Sequence, residues 1–289
     1  MYKQFLLVAL ATSSLVAQQP ASNSSPQETA SVVPLIAPSD TTSVKNEPGA
    51  AIAIALPIRP KATAARCATG EATKQECKEH WAPMLKQSLE WVLMQNSMNL
   101  ALGPDFRSAI SHGNFFSNYV DAATTPHRFT HWDDGDEFLV NFIGHPMMGS
   151  VVDNIYIQND PKAAGLQVGK NRAYWTAHGR ALLFTAAYTF QWKMGPLGEA
   201  SIGNVGKGIY ASPRTGKLTN GAGLVDFVVT PVVGTAWNIG EDTLDRFVVS
   251  KWRSKTKNPL LLTSLSFLTP TRSMANVVRF KSPWYRDNQ

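Results

Sequence analysis

The segment "NRAYWTAHGRALLFTAAYTFQW" (171–192) is the longest apolar stretch in the chain, and it most narrows what the chain can fold into. From Ala181 to Phe190 it is apolar nearly all round, which predicts a central helix covered by other elements. His178 and Arg180 interrupt it, and Thr185 and Thr189 add hydroxyls. A charged arginine near the middle costs too much for a simple membrane span. The helix must then lie within protein, where its polar side chains need partners.

Other segments also read as helices. In "MLKQSLEWVLMQNSMNLAL" (84–102), Leu85, Leu89, Val92, Leu93 and Leu100 recur at helical spacing. "DFRSAISHGNFFSNYV" (105–120) is a helix candidate weakened by Gly113. "GLVDFVVTPVVGTAW" (223–237) is β-branched and apolar, but Pro231 at its centre disfavours an interior strand. It predicts a kinked, buried helix carrying Asp226. "GEDTLDRFVVSKW" (240–252) is amphipathic, with Asp242 and Arg246 four apart. In "TPTRSMANVVRF" (269–280), Thr269 is an N-cap and Pro270 a first helical position. The fold class is mainly α: a single helical bundle-like domain over 78–289, with kinked buried helices.

The beginning of the chain differs. Residues 1–17 have Lys3, a short apolar run from Phe5 to Val16, and Ala17 at a plausible cleavage point, as in a secretory signal peptide. Residues 18–77 read as a disordered linker rich in Ser, Pro and Ala, with one greasy patch, "AAIAIALP" (50–57). All eight tryptophans lie at or after Trp81. Cys67 and Cys77 are the only cysteines, and an even count in an exported chain predicts a disulfide. The expected location is the periplasm or another envelope-associated site.

Inside the domain, "THWDDGDEFLVNFIGHPMMGS" (130–150) crowds acidic residues before an apolar run. Asp133, Asp134 and Asp136 fall where a helix would start, and carboxylates there would cap free N–H groups. Glu137, Asn141 and His145 follow four apart and would share one helix face. Pro146 would kink that helix.

Four segments carry a resemblance: "WDDGDEFLVNFIGHPMMGS", "FQWKMGPLGEAS", "GLVDFVVTPVVGTAW" and "TPTRSMANVVRF". Together they resemble an uncharacterised family of bacterial exported proteins, a domain of unknown function with an Asn…His-Pro…Gly-Ser segment. The match runs over roughly residues 80–286. It implies an envelope setting and a mostly helical fold. It implies no reaction, cofactor or catalytic residue.

Function is only narrowed by these features. For a metal, His131, Asp133 and Asp136 are weak ligand candidates, because they lack the alternate-position spacing of a calcium loop and there is no His-Glu-x-x-His. Neither a metal nor another cofactor is expected. The chain lacks Gly-x-Ser-x-Gly, and "GPLGEASIGNVGKG" (195–208) is not a phosphate-binding loop. A net charge of +6 is mild and dispersed, with "KWRSKTK" (251–257) the only basic cluster. It suits a solvated helix end or an anionic lipid contact, and export argues against nucleic acid. The leading expectation is an exported envelope protein, structural or binding a small molecule or lipid, built around a buried polar network. A membrane surface or an envelope component is the expected partner. The alternative is a hydrolase-type enzyme in which His145 acts with a carboxylate. Its candidate residues are His145, Glu137, Asn141, Glu199 and Asp226.

Overall fold

A computed structural model describes residues 63–102, 107, 110–113, 115–124, 132, 134, 136–202, 209–211, 218–220 and 223–287. The expected signal peptide, the patch at 50–57, His131 and Asp133 lie outside the described residues. The helices are α1 (Thr63–Thr69), α2 (Trp81–Leu102), α3 (Phe115–Thr124), α4 (His145–Asn159), α5 (Arg172–Met194), α6 (Glu199–Ile202), α7 (Val225–Leu244), α8 (Ser250–Arg253), α9 (Pro259–Ser266) and α10 (Pro270–Val278). Two short strands, β1 (Ile209–Ala211) and β2 (Leu218–Asn220), pair antiparallel. The protein is mainly α. Residues 63–77, placed above at the end of the linker, carry α1 and the Cys67–Cys77 disulfide, whose Cα atoms are 5.7 Å apart.

Helix α4 is the central element and packs on α2, α5, α7 and α10. Its contact with α7 is the closest, because glycines on both helices let the backbones meet. A Cβ on Gly149 would stand 2.2 Å from the Thr230 carbonyl oxygen, and one on Gly234 would stand 2.9 Å from that of Pro146. No larger residue fits there without moving a helix. This approach brings His145, at the start of α4, to Asp226, in the first turn of α7.

The kink expected at Pro146 takes a particular form. Residues Val140–Gly144 make a π turn, in which the His145 N–H bonds to the Val140 carbonyl five residues back. Pro146, which has no N–H to donate, follows directly on that turn as the second residue of α4. Glu137 lies just before the helix, which begins at residue 138. Glu137 is exposed, whereas Asn141 and His145 are buried, so the expected three-residue seam is corrected to two.

Polarity runs opposite to expectation in several helices. In α5, Leu183 (69 % exposed) and Phe190 (62 %) point outward, while Thr185, Thr189 and Lys193 are buried. Residues 181–190 are therefore not covered all round. A polar stripe at four-residue spacing turns inward because Asp153 and three more carboxylates lie there and need donors. In α2, the leucines 85, 89, 93 and 100 are exposed, and the buried face is Met84, Ser88, Trp91, Val92 and Gln95. In α7, Val228, Val232 and Val233 are exposed, while Asp226, Thr230, Asn238 and Asp242 are buried. Among the described residues, no helix is long and apolar enough to cross a membrane.

Candidate functional site

The densest chemistry gathers around Lys193, at the last turn of α5. Its side chain is fully buried. Its Nζ lies 2.6 Å from Glu199 Oε2, 2.7 Å from Asp226 Oδ2 and 3.1 Å from Asp134 Oδ2. Burial alone would lower the lysine pKa, but Glu199, Asp226 and Asp134 outweigh it and raise it well above the ordinary value. Lys193 is thus a permanent buried cation.

His145 joins the same group through its own carboxylate. Its Nδ1 is hydrogen-bonded to Asp226 Oδ1, and its Nε2 faces Glu199 Oε1 at 4.0 Å. Burial works against the charged imidazole. The charge and hydrogen bond of Asp226, helped by Glu199, nonetheless raise the His145 pKa to about 9, against the pull of Lys193. Burial likewise pushes Asp226 up, but His145 and Lys193 hold it well below the usual carboxylate range. Asp136 goes the other way. Burial, then Glu199 and Asp134, push it up to about 7.

Neighbouring groups hold the carboxylates in place. Asn141 Nδ2 donates to Asp134 Oδ1 at 2.8 Å and contacts the Asp136 carbonyl at 3.5 Å. The Asp136 N–H donates to Asp134 Oδ1, and Trp192 Nε1 donates to Glu199 Oε1 at 3.3 Å. The Val225 N–H bonds to the Trp132 carbonyl, tying the acidic stretch to the start of α7. A small cavity lined by His145, Met148, Tyr188, Trp192 and Asp226 adjoins the cluster.

Of the five residues proposed for chemistry, Asn141, His145, Glu199 and Asp226 converge, and Glu137 does not. Of the weak metal candidates, Asp136 lies beside His145 and Glu199, with ligand atoms within 4.8 Å of one another. His131 and Asp133 are outside the described residues. The expectation that the aspartates cap a helix fails for Asp134, which is a buried counter-ion of Lys193. Lys193 itself went unnoticed in the sequence. The signal was present: Thr185, Thr189 and Lys193 lie four apart, on one helix face.

A second polar cluster joins the far ends of α5 and α7. His178 Nε2 lies 3.2 Å from Asn238 Oδ1 and 3.4 Å from Asp242 Oδ2. The Tyr174 hydroxyl donates to Asp242 at 2.9 Å, and Arg272 pairs with Asp242 and with Asp245. Arg286 bonds Asp245 at 2.7 Å. Glu241 accepts from the Thr271 and Arg272 N–H groups, so α7 caps α10 from outside. Thr269, expected as the cap, makes no capping bond, and its hydroxyl accepts from Arg286 instead. Arg180, expected in the polar core, is exposed and pairs with Glu79 at 3.5 Å.

The chain matches no family model, no curated protein and no solved structure.

Proposed function

We propose that this is an exported helical protein of the cell envelope that docks on an anionic lipid surface. One observation carries the reading. From Arg246 to Arg286 the chain has nine arginines and lysines and no acidic residue. Arg246, Lys251, Lys255, Lys257 and Lys281 are exposed, and so, within the same stretch of sequence, are Phe247, Trp252, Leu260 (77 %), Leu261, Phe267 and Phe280 (83 %). Exposed aromatic and aliphatic side chains in a stretch whose exposed charges are all positive suit the boundary between headgroups and acyl chains. Each cation near such a surface contributes about 1 kcal/mol. The Cys67–Cys77 disulfide supports an oxidising, exported setting.

Sedimentation with phosphatidylglycerol vesicles tests the reading. The protein is expected to co-sediment with them, to bind phosphatidylcholine vesicles far more weakly, and to release at high salt. Lys251→Glu with Lys255→Glu and Lys257→Glu should abolish the binding while leaving the fold intact. Equal recovery in the supernatant with and without anionic vesicles would end the proposal.

A second reading is a hydrolase-type enzyme. The observation that favours it is the His145–Asp226 pair, which fixes the ring and leaves Nε2 to exchange a proton. Unfolding of the His145→Ala protein discriminates. A purely structural histidine gives a destabilised protein, whereas a catalytic one gives an inactive protein of nearly normal stability.

A further inference from the structure

The Lys193 cluster does not balance its own charge. It contains four carboxylates, those of Asp134, Asp136, Glu199 and Asp226, against Lys193 and His145. Carboxylates thus outnumber bases by four to two in a mostly buried space. Such an excess is costly unless a proton or a cation joins it.

Three further observations give a cation a location. First, His145 is held as a metal-bound histidine usually is: a carboxylate takes Nδ1, so the opposite nitrogen is aimed and made more basic. Second, that nitrogen points at Glu199 Oε1 from 4.0 Å, too far for a hydrogen bond and wide enough to admit an ion between them. Third, Asn141, whose Nδ2 donates to Asp134 and contacts the Asp136 carbonyl, has a buried Oδ1 with no hydrogen-bond partner. A buried amide oxygen without a donor is an unmet demand for a positive group.

We infer that Asp136, His145 Nε2 and Glu199 Oε1 form a binding site for one divalent transition-metal ion, with Asp226 and Trp192 as its supporting partners. One imidazole and two carboxylates suit a zinc-like ion better than calcium, which takes six to eight oxygens. The three ligand atoms lie within 4.8 Å of one another. Ligands about 2.1 Å from an ion stand closer than that, so the site must contract. Asp136 is the ligand free to move, because it is half-buried while the other two are buried. Lys193 occupies Glu199 Oε2 and leaves Oε1 to the ion. The metal inference does not depend on lipid docking.

The test uses the full chain, stripped with a chelator, then titrated calorimetrically with ZnCl2, MnCl2, MgCl2 and CaCl2. One equivalent of Zn2+ or Mn2+ should bind, and Mg2+ and Ca2+ should bind at least tenfold more weakly. Asp136→Asn changes only the half-exposed ligand and removes a negative charge, so it should fold as the parent does. It should lose at least tenfold in affinity. His145→Ala and Glu199→Gln should show the same loss where circular dichroism confirms the fold. Absence of stoichiometric binding overturns the inference. So does Zn2+ binding that Asp136→Asn leaves unchanged, since the ion would then sit elsewhere. Preferential binding of Mg2+ or Ca2+ overturns the assigned class of ion.

Discussion

Helices α5 and α7 hold a polar cluster at each end, and the two clusters differ in how completely they are satisfied. At the His178 end, Glu241, Asp242 and Asp245 face His178, Arg272 and Arg286. Burial there would raise both aspartates. Arg272 and His178 instead lower Asp242, and Arg286 and Arg272 lower Asp245. Asp242 raises His178 against its burial. Carboxylates and bases are equal in number there, and each of these carboxylates has donors. At the Lys193 end the carboxylates outnumber the bases, and an amide oxygen has no donor. The first arrangement is what a structural network needs and nothing more. The second holds an excess that a fold alone does not require. The same helices thus carry a closed network at one end and the proposed metal site at the other.

The largest expected effect comes from Lys193→Met, which leaves three buried carboxylates without their shared cation. Removing one partner of a buried pair costs about 3–5 kcal/mol, and denaturant unfolding should show a loss of that order or no fold at all. A variant as stable as the parent would mean that the cluster is not held by this ion pairing. His145→Ala comes next. It strands Asp226 on one side, and the expected loss is about 1–3 kcal/mol, read by the same measurement. Glu241→Ala sharpens the contrast from the closed-network end. It removes the acceptors for two α10 N–H groups, and a lost cap costs about 1–2 kcal/mol. Its melting temperature should fall while metal affinity at the other end stays unchanged.

Between the clusters lies Asp153, fully buried on α4, which accepts from the Thr185 hydroxyl. Burial raises its pKa to about 7, against the hydroxyls of Thr185 and Thr235 and the charge of His178, and with the repulsion of Asp242. The native state therefore holds a proton that the unfolded chain releases near pH 4. Stability contributed by this group is complete at low pH, falls as pH rises towards 7, and is flat above. One such group gives a slope of about 1.4 kcal/mol per pH unit. Asp153→Asn should remove that slope between pH 4 and 7 in paired denaturation series. An unchanged slope would show that Asp153 is ionised throughout.

Much of the secondary structure was legible, and the inside of the molecule was not. The helix at 84–102 follows from apolar spacing, that at 171–192 from its apolar run and that at 223–237 from Pro231 disfavouring a strand, and observed α2, α5 and α7 match them to within two residues at their starts, apart from the earlier start of α2 at Trp81. The orientation of those helices does not follow. Spacing rules assume that apolar faces turn inward, but Leu85, Leu89 and Leu93 are exposed and Ser88 is buried. Asn141, His145, Glu199 and Asp226 were visible because polar residues stand out in apolar runs. Asp134 and Asp136 looked like helix-starting carboxylates, since a cap and a buried counter-ion have the same local sequence. Lys193 looked like an ordinary basic residue at a helix end. Its true partner at Asp134 is 59 residues away, beyond what any local pattern carries.

The central claim is that the Lys193 end is the proposed metal site and the His178 end a closed network. Thermal unfolding of the chelator-treated parent and of Asp136→Asn, each with and without one equivalent of ZnCl2, tests it most directly. The account predicts a melting temperature raised by zinc in the parent and unmoved in Asp136→Asn, with the two metal-free proteins melting close together. An equal response to zinc in both proteins, or none in the parent, would contradict it.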